Sequence, residues 1–180
     1  PIKKIENFIR FIFFSFLKIS GMLFYPQKIT WISKKPNDWN EISLILVLNH
    51  TSFFEFIFGI ILPFKYLKTL SERLVLPVAS QTLNHFFANF FFTKLSPKTV
   101  PISRKRDKSW IEFLSKIYPH NICIFMPEGR MKRLNGLDKD GNEMSVRGGT
   151  LEIIKKFKTQ KALIVYSKGL HHILPPGIRI

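Results

Sequence analysis

The residues in this chain that are best suited to chemistry are a histidine and a glutamate separated by four residues, His50 and Glu55. They follow a short apolar run, 43–48, that is typical of a buried strand. A carboxylate bonded to one imidazole nitrogen fixes the tautomer of the ring, and it stabilises the imidazolium that forms when the other nitrogen takes a proton. The pair therefore predicts a general base that can deprotonate an alcohol.

The local sequence indicates how the two side chains can meet. Inside a single helix, this spacing would place them about 140° apart around the axis, on different faces. Thr51 and Ser52 are favoured N-cap residues, so a helix can begin at either of them. With His50 in the preceding loop, Glu55 then falls in the first turn and can reach back to the imidazole. The alternative is a surface histidine followed by an acid that suits the positive end of the helix dipole.

The elements that must position this pair alternate between short apolar strands and amphipathic helices. Strands are predicted over 29–32, 43–48, 99–103, 121–126 and 162–166, and helices over 8–25, 52–61, 107–117, 148–158 and two pieces of 70–93. This alternation predicts an α/β fold with a mixed, largely parallel sheet flanked by helices. In such sheets ligands bind at the carboxyl ends of the strands, which is where His50 falls.

The composition indicates a membrane surface as the partner. Lysine and arginine number 28 against 12 acidic residues, and the resulting formal net charge of +16 favours polyanions. The 19 phenylalanines cluster inside apolar runs, whereas nucleic-acid-binding proteins place isolated aromatic rings on a polar sheet. We therefore predict membrane lipids as partners and no nucleic acid, with the protein on the cytoplasmic face of a membrane. The single cysteine, Cys123, fits a reducing compartment.

The N-terminal segment, 1–27, is predicted to associate with the membrane. Arg10 and Lys18 are eight residues apart and interrupt its apolar run, so a helix here carries a narrow polar stripe. A spanning helix needs about 20 residues with few charges. We therefore predict an amphipathic helix that lies in the membrane interface or inserts partway. The alternative is an amphipathic helix that packs on the domain.

Residues 28–180 are predicted to form one further domain, which is large enough to bury a hydrophobic core. The chain starts at Pro1 and stops soon after a Pro-Pro-Gly turn, so we expect a fragment or a processed product that lacks C-terminal elements. A longer N-terminal segment would convert the first helix into a true membrane span.

Two other strand ends carry residues suited to an anionic substrate. Arg104 directly follows a predicted strand, and its guanidinium is well matched to a phosphate. After the predicted strand 121–126, a proline and a glycine shape a tight turn. This turn is expected to present Glu128 and Arg130 at the same edge of the sheet as His50.

Four segments resemble, in order and approximate spacing, the four sequence blocks of the glycerolipid acyltransferases, of which the lysophosphatidic acid acyltransferases are the best-known members. The segments are Asn49-His50-x4-Glu55, Ile102-Ser103-Arg104, Met126-Pro127-Glu128-Gly129 and the apolar strand 162–166. The resemblance implies a membrane-associated O-acyltransferase that moves a fatty acyl group from acyl-CoA or acyl carrier protein to a lysophospholipid-like hydroxyl, of the 1-acylglycerol-3-phosphate type. It implies no resident cofactor, because the acyl thioester is a co-substrate.

The resemblance also implies roles for individual residues. His50 would be the base that deprotonates the acceptor hydroxyl, and Glu55, where the family more often has aspartate, would orient and polarise it. Arg104 would bind the phosphate of the acceptor. The remaining residues of the predicted substrate-binding set are Asn49, Glu128, Gly129 and Arg130.

The third block departs from the family pattern Phe-Pro-Glu-Gly-Thr-Arg. Met126 replaces the phenylalanine, Arg130 stands where threonine is expected, and Met131 occupies the position of the family arginine. Two interpretations stay open: Arg130 makes the anion contact from one residue earlier, or the acceptor headgroup differs. Lys132 and Arg133 are further candidates for that contact.

Two other classes of function stay open on the sequence. One is a thioester or lipid hydrolase that uses Ser52 or water as the nucleophile, since Ser52 lies close to His50. The other is a non-enzymatic basic module that binds membranes or nucleic acid, whose binding would fall steeply with salt. The acidic run 138–143 lacks the residue spacing of a calcium-binding loop, so no metal site is predicted.

Overall fold

The computed structural model describes residues 2–52, 54–103 and 107–173, and it contains one five-stranded sheet. The strands are β1 (Ile42–Leu48), β2 (Leu74–Ala79), β3 (Lys98–Ile102), β4 (Ile122–Phe125) and β5 (Lys161–Tyr166). The α-helices are α1 (Ile2–Phe24), α2 (Phe64–Arg73), α3 (Ser80–Leu83), α4 (Phe86–Leu95), α5 (Lys108–Lys116) and α6 (Gly149–Lys156). Short 3-10 helices cover Trp39–Glu41, Glu55–Ile61 and Leu170–His172.

The sheet is parallel. Its strand order is β3-β2-β4-β1-β5, and every neighbouring pair in the described part of the chain runs in the same direction. The predicted α/β class with a largely parallel sheet is therefore confirmed. The strand β1 lies between β4 and β5, and it is buried from Ile42 to Val47. Burial on both faces requires a nearly continuous apolar run, and this is what the sequence of β1 supplies.

Helices cover both faces of the sheet. Ile45 of β1 packs in a core cluster with residues of α1, α2 and α4. Its neighbour Leu46 points to the other face, where it packs with Phe113 of α5 and Ile153 of α6. The fold is thus a three-layer α/β/α arrangement, because alternate residues of a strand point to opposite faces.

Two predictions of local structure are wrong. The segment 29–32 is not a strand. Its Ile32 is fully exposed, at 100 %, so burial of this side chain does not stabilise a strand there. The apolar stretch 70–93, predicted as two helical pieces, contains the strand β2 between helices. Its Pro77 indicated a helix break, but β4 pairs with β2 only at Leu74 and Val75. The N–H that Pro77 lacks therefore costs no hydrogen bond to β4.

Two cations of the N-terminal helix, Arg10 and Lys18, are bonded to the domain. Arg10 Nε donates to the carbonyl of Lys94 at 3.2 Å, and Lys18 Nζ donates to the carbonyl of Ile60. Gly21 lies so near Ile60 that a Cβ at this position would be 2.6 Å from the Ile60 Cδ1 atom. The predicted polar stripe is therefore the side of α1 that packs on the domain, and glycine allows the close approach.

The other side of α1 is apolar and exposed. Its large apolar side chains are 47–74 % exposed, and they are Ile2, Ile5, Phe8, Ile9, Ile12, Phe16, Ile19, Met22, Leu23 and Phe24. On α4, which contacts α1 through the Phe13–Phe91 ring pair, Phe86, Phe87 and Phe90 are 60–78 % exposed. We call these exposed side chains of α1 and α4 the apolar face. With its 23 residues, α1 is long and apolar enough to associate with a membrane.

Candidate active site

Three neighbouring strand ends meet at the carboxyl edge of the sheet. Because β1 lies between β4 and β5 and all three are parallel, the residues that follow them share this edge. Asn49 Nδ2 donates to the carbonyl of Ser167, after β5, at 2.6 Å. The backbone N–H of His50 donates to Glu128 Oε2, after β4, at 3.1 Å. The structure therefore brings together the residues that follow β1, β4 and β5.

The imidazole of His50 is paired with the buried carboxylate of Glu55. The His50 Nδ1 atom is hydrogen-bonded to Glu55 Oε2. The other carboxylate oxygen accepts the backbone N–H groups of Thr51 and of Ser52, the latter at 3.2 Å. Glu55 is only 1 % exposed, and a buried carboxylate is tolerated when donors surround it in this way. The predicted pairing of the two side chains is present in the structure.

The loop between them explains how the pair forms. Ser52 Oγ accepts the N–H of Phe54 at 2.9 Å, while Glu55 accepts the N–H of Ser52. Each of these side chains thus accepts a main-chain N–H of the loop, and the local bonds turn the chain so that Glu55 lies beside His50. The helix that follows is a 3-10 helix that begins at Glu55, so the prediction of a helix beginning at 52 is wrong in its start and its type.

This geometry fixes which nitrogen of His50 can accept a proton. Since a carboxylate only accepts hydrogen bonds, Nδ1 carries the hydrogen and Nε2 carries the lone pair. The His50 side chain is 15 % exposed, so the ring is largely shielded from water. The dyad can therefore act as a general base through Nε2, with Glu55 stabilising the imidazolium that forms.

Asn49 and Glu128 hold the His50 loop in place. Asn49 has a positive φ of 64°, a conformation that asparagine tolerates better than most residues, and its amide is bonded to the strand end of β5. The Glu128 carboxylate is bonded to the main chain of His50. The resemblance assigns both residues to substrate binding, while their described contacts are those of positioning residues. Their assignment to substrate binding stays a prediction.

The turn after β4 packs against the far end of the following loop. Gly129 has a φ of 64°, and its N–H donates to the carbonyl of Met126 at 2.9 Å. The N–H of Arg147 donates to the carbonyl of Pro127 at 2.9 Å, so the loop returns to the turn it left. Lys132, near the start of the loop, donates its N–H to the carbonyl of His50 at 2.6 Å. Sequence reasoning missed these contacts, because they join segments with no shared local pattern.

Arg130 is engaged by carboxylates of its own loop. Its Nη1 atom is bonded to Asp138 and lies 3.0 Å from Asp140 Oδ2. Asp138 is 3 % exposed and also accepts the N–H groups of Asp140 and Asn142. The N–H of Asn142 and the Arg130 guanidinium lower the pKa of Asp138 to about 2. The positive charge of Arg130 is thus largely compensated inside the protein, and its predicted contact with substrate stays a prediction.

Arg104 lies outside the described residues, together with Lys105 and Arg106. The strand that precedes it, β3, lies at one edge of the sheet, with β2 and β4 between it and β1. At the usual spacing of neighbouring strands, β3 and β1 are separated by roughly 14 Å. The second block of the resemblance therefore starts from the edge of the sheet farther from His50.

The Ser52 hydroxyl is held by backbone groups. It is fully buried, and its described contacts include a bond donated to the carbonyl of Ile173 and one accepted from Phe54. The described contacts therefore give no geometric support to Ser52 as an activated nucleophile.

In the described part of the chain no metal cluster accompanies this site, and neither the free cysteine nor the cavity described below includes the dyad. Among the residues that the structure describes, no group of three or more histidine, cysteine or acidic side chains is placed to hold a metal. Cys123 is buried in β4, and this burial raises the pKa of its thiol. A cavity of about 390 Å³ is lined by Lys18, Trp31 and Lys35 and does not include His50.

The fold and the site define a parallel α/β protein with a histidine–glutamate dyad at the carboxyl edge of its sheet. No protein-family model, curated protein or solved structure matches the chain. The function is accordingly argued from the geometry of the site.

Proposed function

We propose that the protein is a membrane-associated O-acyltransferase. It would move a fatty acyl group from acyl-CoA or acyl carrier protein to the hydroxyl of a lysophospholipid-like acceptor, of the 1-acylglycerol-3-phosphate type. The observation that carries the proposal is the His50–Glu55 dyad, which leaves Nε2 as the basic nitrogen of a histidine in the loop after β1, where the ends of β1, β4 and β5 meet. The apolar face supports a lipid substrate, since it gives the domain a means of resting on a bilayer.

The proposed reaction uses His50 first as a base and then as an acid. Nε2 takes the proton of the acceptor hydroxyl while the hydroxyl oxygen attacks the thioester carbonyl carbon. The tetrahedral intermediate then expels the thiolate as its carbon–sulfur bond breaks, and the imidazolium returns the proton to the sulfur. The products are an ester and a free thiol, and the neutral imidazole is restored. Glu55 stabilises the charged ring throughout, and the enzyme forms no covalent intermediate.

We further propose that α1 lies in the plane of the membrane. Arg10 and Lys18 hold α1 along the domain through the carbonyls of Lys94 and Ile60. Turning the helix into a span would break these contacts and place both charges in hydrocarbon, which is costly. In the in-plane orientation the apolar face enters the acyl region while Arg10 and Lys18 stay against the protein.

The net charge supports the cytoplasmic leaflet as the target surface. The chain carries a formal charge of +16, and this leaflet is enriched in anionic lipids that attract basic segments. The proposed location is therefore the cytoplasmic face of a membrane.

The test is thioester-dependent acyl transfer on liposomes with palmitoyl-CoA, palmitoyl carrier protein, a panel of lysophospholipids and a sample without acceptor. The variants are His50→Ala and the matched His120→Ala, since His120 is an exposed histidine remote from the dyad. Acceptor-dependent ester that disappears only with His50→Ala supports the proposal. Thioester loss without acceptor would instead indicate a hydrolase that uses Ser52 or water as the nucleophile. The absence of turnover with both donors would contradict an enzymatic role, and salt-sensitive binding alone would then favour a basic binding module.

A further inference from the structure

We propose that Arg147, rather than Arg130, binds the anionic phosphate of the acceptor. This inference rests on the proposed function, because it assigns the headgroup subsite of the same reaction. Nothing in the sequence pattern singles out Arg147, which lies 17 residues after Arg130 at the far end of the polar loop.

Arg147 lies against the turn that holds His50. Its N–H donates to the carbonyl of Pro127 at 2.9 Å, and its Nε lies 3.5 Å from the carbonyl oxygen of Glu128. The carboxylate of the same Glu128 accepts the N–H of His50 at 3.1 Å. A single residue, Glu128, therefore connects the guanidinium of Arg147 to the main chain of His50, the proposed general base.

Gly129 gives the arginine room to cross the turn. A Cβ at position 129 would lie 3.5 Å from Arg147 Cγ, so the arginine stem already runs at contact distance over the glycine. The positive φ of Gly129 also makes any side chain there unfavourable. The turn is thus shaped to carry Arg147 across it at the edge of the site.

The two arginines differ in what already compensates their charge. Arg130 is paired with Asp138 and Asp140. Within the described residues, no carboxylate forms an ion pair with Arg147. Its side chain is exposed, and only its Nε atom takes part in a hydrogen bond. Its two terminal nitrogens are left to face a ligand. A guanidinium with this fork of donors matches the oxygens of a phosphate in charge and in geometry.

The acceptor class follows from this placement. Because the turn of residues 127–129 is bonded to the main chain of His50 and carries Arg147, we expect it to receive a phosphate on the carbon next to the reacting hydroxyl. The subsite therefore favours an acceptor alcohol that carries a phosphate monoester over the same alcohol without it.

The experiment compares 1-acylglycerol 3-phosphate with monoacylglycerol as acceptors at fixed palmitoyl-CoA, using the full chain on phosphatidylcholine vesicles. The variants are Arg147→Gln, Arg147→Lys and Arg130→Gln, with Arg73→Gln as the matched control. Arg73 is an exposed arginine that ends α2 at the opposite edge of the sheet, where β2 begins.

We expect Arg147→Gln to raise the KM for the phosphate acceptor by about 10- to 100-fold, which corresponds to the loss of a charged hydrogen bond. The KM values for palmitoyl-CoA and for monoacylglycerol should not change. Arg147→Lys should recover part of the effect, because lysine restores the charge without the fork. Arg73→Gln should behave like the unmodified protein.

Two outcomes overturn the inference. One is an Arg147→Gln variant whose preference for the phosphate acceptor is unchanged, and the other is a selective KM increase with Arg130→Gln instead. Binding of glycerol 3-phosphate can be measured from NMR line shifts without any acyl transfer. This measurement therefore distinguishes failure of the Arg147 inference from failure of the proposed function. If no transfer occurs, binding that is lost with Arg147→Gln still supports the anion subsite, and absence of binding to the unmodified protein overturns it.

Discussion

The His50 site and the apolar face depart in opposite ways from the usual distribution of polar and apolar groups. At the site, the charged Glu55 is 1 % exposed, whereas on the apolar face Phe24 is 73 % exposed. Folded proteins seldom bury a carboxylate without partners or expose a large contiguous apolar surface. Glu55 has its donors within the loop 50–52, while the apolar face has no cover within the described residues. The polar groups of the site are therefore satisfied by contacts within the chain, whereas the described residues leave the apolar face uncovered.

The strongest test of this comparison is Glu55→Gln, because it removes the charge and leaves the shape. The amide can donate to Nδ1 and so favour the wrong tautomer of His50, with the hydrogen on Nε2. We expect acyl transfer to fall by about 10³- to 10⁴-fold, measured as kcat at saturating acceptor. Glu112→Gln, at an exposed glutamate of α5, is the control. A fall of less than tenfold would show that the dyad is not the base.

A second test of this comparison places positive charges on the apolar face. In the double variant Ile12→Lys, Phe16→Lys, two exposed apolar side chains become cations, so their burial in a bilayer is lost. We expect the partition coefficient on phosphatidylcholine vesicles, measured by sedimentation, to fall by about 100-fold or more.

The matched control for this variant is Ile111→Lys, Leu151→Lys. Both residues are exposed apolar side chains, and they lie on α5 and α6, in the layer opposite α1. The control should bind vesicles like the unmodified protein, since the rise in charge is the same. Equal losses in the two double variants would contradict a membrane role that is specific to the apolar face.

A smaller effect is expected at Gly129, where backbone conformation and site meet. Gly129→Ala places a side chain at a φ of 64°, which costs about 1–2 kcal/mol in the free energy of unfolding. Gly136→Ala introduces similar strain, at a φ of 84°, in open space within the loop. Urea unfolding should show comparable destabilisation for both, while acyl transfer falls only for Gly129→Ala. Equal acyl-transfer activity in the two variants would show that the turn containing Gly129 is not part of the active site.

The smallest effect concerns the loop that holds Arg130. The pKa of Asp138 is lowered from its ordinary 3.8 to about 2, so the folded state favours its charged form. Its contribution to stability is therefore present above pH of about 4 and is lost as the pH falls through about 2. In urea unfolding, the difference in the free energy of unfolding between the unmodified protein and Asp138→Asn should shrink as the pH falls through this range. Asp140→Asn, at a half-exposed carboxylate, is the comparison variant, and a difference that is constant with pH would contradict the assignment.

The sequence predicted the parts of the site that depend on local pattern or on the direction of the strands. His50 and Glu55 are near neighbours in the chain, so bonds from the main-chain N–H groups of Thr51 and Ser52 to Glu55 suffice to bring them together. Glu128 was expected at the same edge because parallel strands end together, and its bond to His50 is consistent with this. These relations follow from short-range geometry and fold class.

The rest depends on contacts between distant segments. The strand β2 was missed because a short apolar run with a proline fits a buried strand and a broken helix equally well. Arg147 was missed because its position comes from the return of a loop onto the turn of residues 127–129. The inward orientation of Arg10 and Lys18 was also missed, since a polar stripe does not show which side of a helix meets the protein.

Because β1 lies inside the sheet, the loop after it is completed late in the synthesis of the protein. Asn49 is bonded to Ser167, 118 residues later, so at roughly 5–20 residues per second the second partner leaves the ribosome about 6–24 s after the first. The helix α1 is complete long before then, with its phenylalanines uncovered. If α1 binds a membrane as proposed, a growing chain can settle there while the loop that holds His50 is still unformed, and the site would then be completed at the membrane surface.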